Sequence, residues 1–195
     1  MLPLNWLNIR SYNNSQNNAF EELVCQLARE EKIQNKASFI RVGAPDGGVE
    51  AYCILKNGDE YGWQAKYFDS MGDSQWNQLE KSFKTALEKH PRLVKYYICI
   101  PLDRQDPRID DQKWFMDKWN EKVEEWTNFA LEHGRNIEFE FWGSSELIAR
   151  LSQEKHAGRT YFWFNKEQFS QQWFSERLNR SIDCLGNRYT CFCPG

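Results

Sequence analysis

The sequence predicts an α/β fold: a mixed β-sheet flanked by helices, with a helical C-terminal extension. Three observations predict it. Runs of strand length with apolar or alternating residues, such as Val49–Leu55 and Leu93–Ile100, recur between longer segments whose apolar residues fall at helical spacing. Asn57-Gly58 joins two alternating runs in the way a hairpin turn does. The run LVKYYICI at Leu93–Ile100 is almost continuously apolar, the pattern of a central strand covered on both faces.

The elements follow in order. Ser15 is placed to cap a helix from Gln16 to Glu31, on which Phe20, Leu23, Val24, Leu27 and Ala28 form one apolar stripe. Ser38–Val42 reads as a short strand. The glycine-rich turn Gly43–Gly48 leads into a strand over Val49–Leu55, and the Asn57-Gly58 hairpin returns the chain along Asp59–Phe68. Alternation sends Val49, Ala51 and Cys53 to one face and Glu50, Tyr52 and Ile54 to the other. Asp73–Lys89 is a helix with Trp76, Leu79, Phe83, Ala86 and Leu87 on its inner side, stopped by Pro91. Leu93–Ile100 is the central strand. A charged loop over Pro101–Gln112 follows, in which Arg104 and Arg108 are candidate phosphate contacts but more ordinarily surface arginines. Lys113–His133 is a helix ended by Gly134, with Trp119, Val123, Trp126 and Ala130 on one side. Asn136–Trp142 alternates as a strand, and Ser144 or Ser145 caps a short helix through Leu151. The character changes after Gln153. We divide the chain into a core at 1–153 and an aromatic-rich helical extension and tail at 154–195, with an amphipathic helix over Lys166–Arg180.

Composition bounds the function. At 195 residues, 41% hydrophobic and 15% aromatic, the chain is globular and long enough to bury well over half of its unfolded surface. No apolar run reaches spanning length and the N-terminus lacks a signal pattern, so a cytoplasmic protein with no membrane partner is expected. Lys and Arg total 25 against 28 Asp and Glu, and the net charge of −3 weighs against nucleic-acid binding by bulk charge alone. Cys25, Cys53, Cys99, Cys184, Cys191 and Cys193 read as reduced residues rather than a disulfide framework, and the last three are oddly spaced for zinc. No phosphate-binding G-x-x-x-x-G-K-[ST] loop occurs.

Chemistry concentrates between Pro45 and Phe68. Closing the hairpin at Asn57-Gly58 brings Glu50 and Lys66 near each other at its far end, with Gln64 on the same face as Lys66. An acid, an amide and an ammonium around one point suit a divalent cation and a phosphate. Each has a plainer reading. Lys66 is also what an edge strand places in solvent, and Asp46 is also an ordinary turn cap. Glu21 and Glu22 read equally as the solvated border of the first helix.

DGGVEA (Asp46–Ala51) and QAK (Gln64–Lys66) resemble the PD-(D/E)xK nuclease superfamily, and within it the Mrr-like restriction endonuclease branch. The likeness extends to AFEELV at Ala19–Val24, and to YICIPLD at Tyr97–Asp103 and Phe141-Trp142-Gly143. These later pieces are similar to the N-terminal nuclease effector domains of bacterial anti-phage STAND NTPases. The resemblance implies a restriction-endonuclease-like sheet and a Mg²⁺-dependent DNA endonuclease, with Mn²⁺ as the alternative ion. It implies Glu50, Gln64, Lys66 and Glu21 as catalytic residues, and Glu50, Gln64 and Asp46 around the metal, leaving open whether Glu21, Glu22 or Asp46 is the additional acid. Glu50 stands where the family more often has Asp, a ligand one methylene longer. The implied partners are double-stranded DNA, further copies in a dimer or tetramer, and a STAND ATPase module in a longer parent chain. Two rivals stand beside this reading: a catalytically inactive oligomerisation or DNA-recognition module of the same fold, and a protein-binding adaptor.

Overall fold

Three strands in an antiparallel meander, then two helix crossovers to parallel strands, build one five-stranded mixed sheet. The structure is a computed structural model that describes residues 4–43, 47–103, 115–165 and 171–185. The Ser15 hydroxyl accepts from the backbone N–H groups of Asn17 and Asn18 and so starts α1 (Gln16–Arg29). β1 (Lys36–Arg41), β2 (Ala51–Leu55) and β3 (Glu60–Ala65) pair antiparallel in sequence order. α2 (Asp73–Lys89) carries the chain to β4 (Leu93–Cys99), and α3 (Phe115–Glu132) carries it to β5 (Glu138–Trp142). β4 runs parallel to β3 and β5 parallel to β4, giving the spatial order β1-β2-β3-β4-β5. α4 (Ser144–Leu151), α5 (Ala157–Phe164) and α6 (Gln171–Leu185) follow. The fold class is therefore α/β, with helices flanking the mixed sheet and a helical C-terminal region. Among the described residues no helix is long and apolar enough to cross a membrane.

Alternation along the strands splits the core into two layers. Phe20, Leu23 and Leu27 of α1 pack with Cys53, Trp63, Tyr97, Cys99 and Trp142 on one face of the sheet, joined there by Leu147, Leu151 and Trp163. Leu79 and Phe83 of α2 and Trp119 and Trp126 of α3 pack with Tyr96, Ile98 and Phe141 on the other. β4 is covered on both sides, in keeping with its continuous apolar run.

Four local details extend or differ from the sequence reading. The β2–β3 hairpin turns at Asn57-Gly58, as the sequence predicts, and the structure adds the form of its loop. Gly58 N–H donates to Leu55 O at 2.9 Å, Leu55 N–H donates to Asp59 O at 2.8 Å, and only Gly58 (φ +86°) is left-handed, so the loop has three residues with Gly58 at the bulge. The helix after β5 is capped at Gly143 rather than at a serine. Glu146 Oε2 accepts from the Gly143 N–H at 3.0 Å, while the Ser144 hydroxyl accepts from Trp6 Nε1 at 2.9 Å. The helix expected over Lys166–Arg180 is described over Gln171–Leu185 and so continues past Arg180, residues 166–170 lying outside the described part.

The fourth difference bears on the site. The strand expected from Val49 starts at Ala51, because the chain bends at Glu50. Val49 consequently packs in the α2 layer, away from Cys53, with which strict alternation would have grouped it. The cause lies just upstream. Gly48 sits at φ +86° with its backbone pressed on α2; a Cβ there would be 2.2 Å from Ser82 O and 2.6 Å from Ala86 N. Only glycine fits both the torsion and the approach.

Candidate active site

The open end of the β2–β3 hairpin gathers the charged groups. Glu50 is tied by its backbone to both neighbours: its N–H donates to Trp63 O at 2.7 Å and its carbonyl accepts from Val42 N–H at 2.9 Å. Gln64 is the penultimate residue of β3. Lys66 follows that strand, with its N–H donating to Cys99 O of β4 at 2.9 Å. These pairings fix three Cα positions around one point without any help from the side chains.

The side chains complete it. Gln64 Nε2 donates to Glu50 Oε1 at 2.8 Å, and Lys66 Nζ lies 3.7 Å from the same oxygen. Glu50 is 3% exposed and Gln64 1%, whereas the Lys66 side chain keeps 23% of its surface. A buried carboxylate is costly unless hydrogen-bonded or paired, and here it is both. The cation side of the cluster faces solvent and the amide side faces the core.

Two further groups frame this point. Arg41, the last residue of β1, donates to the carbonyls of Glu50 (3.1 Å) and Val42, and its Nε lies 3.4 Å from Glu22 Oε2. Cys25 on α1 is buried, and its thiol is pushed up to about 12. Burial is the main cause, Arg41 opposes it, and the carboxylates of Glu50, Glu22 and Glu21 add to it.

Of the residues expected at the site, the structure therefore brings together Glu50, Gln64 and Lys66. Glu21 is half-buried on α1, and its charge reaches Cys25. Glu22 is engaged by Arg41 and by Gln26, whose Nε2 donates to it at 3.0 Å. Asp46, Arg104, Arg108, Cys191 and Cys193 lie outside the described residues. Among the described residues no three His, Cys, Asp or Glu side chains are grouped closely enough to hold a metal ion. Two residues were not anticipated. Arg41 carried a weak signal, a single cation inside the short strand run SFIRV. Tyr96 carried none: its hydroxyl donates to Gly48 O at 2.7 Å and lies 3.5 Å from Gln64 Oε1, yet in LVKYYICI it reads as core.

A cleft of about 530 Å³ opens further along, between the segment after β3 and the start of α3. Asp69, Asp73 and Asp103 rim it, with Trp76, Phe115 and Lys118 in its wall. Among the described residues three carboxylates and one ammonium line it. No protein-family model matches the chain, and no curated protein matches it either.

Proposed function

We propose that this chain is a metal-dependent endonuclease that hydrolyses phosphodiester bonds in double-stranded DNA. The observation that supports it best is one buried carboxylate oxygen, Glu50 Oε1, shared at 2.8 Å by the Gln64 amide and at 3.7 Å by the half-open Lys66 ammonium. The motifs quoted above support the finer reading, an effector domain of an anti-phage defence protein that acts as a dimer or tetramer beside a STAND ATPase module.

Glu50 and the Gln64 side-chain oxygen would hold Mg²⁺ or Mn²⁺, with Glu21 or Asp46 in its outer surroundings and water or phosphate oxygens filling the remaining positions. When bound, such an ion supplies Lewis acidity at the phosphate and a more acidic water. Lys66 orients the attacking water and stabilises the charge that develops on the pentacovalent phosphorus. Burial of Glu50 and Gln64 keeps bulk water from the far side of the cluster and strengthens these interactions. A neutral amide in place of a second carboxylate lowers the negative charge of the site, so metal affinity is weak and rises when DNA is present.

Supercoiled plasmid incubated with Mg²⁺ tests the proposal. The native chain nicks and linearises it; EDTA, Glu50→Ala and Lys66→Ala each stop the reaction, while circular dichroism shows both variants folded. Plasmid left intact by the native chain, or cutting that survives both substitutions, defeats it. One observation favours a second reading, a non-catalytic module of the same fold: Gln64 turns its NH₂ rather than its oxygen toward Glu50. That module retains DNA in a salt-sensitive way without Mg²⁺-dependent cutting.

A further inference from the structure

Tyr96 sits on the central strand β4, fully buried, and touches two parts of the candidate site at once. Its oxygen is 2.7 Å from Gly48 O and 3.5 Å from Gln64 Oε1. A phenol has one proton to give. The Gly48 carbonyl can only accept, and at 2.7 Å it takes that proton. What Tyr96 then presents to Gln64 is a lone pair, and the Gln64 atom facing it is another acceptor. At its other end the same amide donates Nε2 to Glu50 Oε1 at 2.8 Å. The amide is thus well matched toward Glu50 and poorly matched toward Tyr96.

A half turn of the terminal Gln64 torsion, which is broad and nearly two-fold, reverses the match. Nε2 would then donate to the Tyr96 oxygen and Oε1 would face Glu50, at the cost of the longer contact from Nε2 to Ala65 O at 3.4 Å. Two oxygens facing each other are unfavourable alone and favourable with a divalent cation between them. We propose that Gln64 is a two-position amide and Tyr96 its positioning residue, receiving Nε2 when the Gln64 oxygen turns to a cation beside Glu50. The inference rests on the metal-dependent reading above and adds to it a second amide position. In one position the NH₂ group covers the carboxylate; in the other, the one a cation would select, Tyr96 holds that group out of the way. Gly48 belongs to the device, because its carbonyl commits the phenol proton and so makes Tyr96 an acceptor.

The test follows the Gln64 side-chain NH₂ signals by ¹⁵N NMR, assigned by their loss in Gln64→Glu, with Mg²⁺ alone and with Mg²⁺ plus duplex DNA. Both protons should shift as the metal saturates. Isothermal titration then compares Tyr96→Phe in two backgrounds. In the native background it weakens Mg²⁺ binding about tenfold, the loss of one hydrogen bond made only in the bound state. In the Gln64→Glu background it does not weaken binding, because a carboxylate has no N–H for Tyr96 to receive. Equal weakening in both would mean that Tyr96 merely props Gly48, and overturns the proposal. Mg²⁺ binding with unmoved Gln64 signals overturns it alone, even where Tyr96→Phe fails to fold; no Mg²⁺ binding by the native chain overturns the metal-dependent reading with it.

Discussion

Two lysines stand among carboxylates on this sheet, and they are used in opposite ways. Lys95, near the start of β4, has Glu138 Oε1 and Glu140 Oε2 at 2.8 Å each and lies over the Tyr97 ring at 5.1 Å. Burial lowers its proton affinity, but the hydrogen bonds to Glu138 and Glu140 more than offset that, and its pKa is held well above the usual lysine range. Among the described residues Lys66 has one carboxylate oxygen, at 3.7 Å, already taken by an amide hydrogen bond. A lysine saturated by two acids is a clamp between strands. A lysine in a long, shared pairing beside solvent retains capacity for a further anion. Number of partners and their distance, more than burial, separate the two.

The sharpest way to break this contrast is to remove each ammonium in turn. Lys66→Met should lower Mg²⁺-dependent plasmid cleavage by about a thousandfold or more, roughly 4 kcal/mol of barrier, while Lys95→Met leaves the rate within about twofold. Equal loss in both would erase the distinction. Next in size is the turn that delivers Glu50. Gly48→Ala should cost about 3 kcal/mol or more in urea unfolding, since the new methyl meets backbone atoms of α2 at a positive φ. Gly134→Ala is the control: its φ is +69° with nothing within 4 Å, and about 1 kcal/mol is expected. A Gly48→Ala variant no worse than the control would mean that the turn is not fixed by α2.

Cys25 sharpens the contrast from the core side of the site. Its thiol titrates near 9 in the unfolded chain and is pushed up to about 12 in the folded one, mainly by burial, so the folded state holds the proton more tightly. Its contribution to stability is complete below pH 9 and drains away as pH rises toward 12, by roughly 1 kcal/mol at pH 10. Thermal melts of the native chain and Cys25→Ala should therefore converge as pH is raised from 8 to 10; curves that stay parallel would contradict the assignment. The smallest effect belongs to the clamp itself. Lys95→Met should lower unfolding stability by about 0.5–1 kcal/mol, because both of its partners are solvent-accessible.

Much of this was legible in the sequence, and the failures share a cause. Helix α2, the central strand and the Ser15 cap were readable from spacing and local chemistry alone. So was the meeting of Glu50 with Lys66, because a hairpin is a local object whose two arms are constrained to lie side by side. What local rules missed was set by distant contacts. Val49 changed face because α2 presses on Gly48. The Ser144 hydroxyl was taken by Trp6, so that Gly143 became the cap. Tyr96 reaches Gly48 across the sheet from a run in which nothing distinguishes its hydroxyl from Tyr97's. His90, which pairs with Glu60 at 2.9 Å near the other end of the hairpin, was equally invisible for the same reason.

Trp63, the residue before Gln64, stacks on Tyr97 with ring centroids 4.6 Å apart and planes 4° from parallel. It is wholly buried, and its indole N–H meets no acceptor among the described residues. An indole so placed emits toward the blue edge of tryptophan fluorescence, and its rigid overlap with a phenol ring gives a strong near-ultraviolet circular dichroism band. Trp63 is one of nine tryptophans, so its signal is the difference between the native chain and Trp63→Phe. That difference is an optical probe one peptide bond from the candidate metal ligand, and a cation titration can be followed through it without any label.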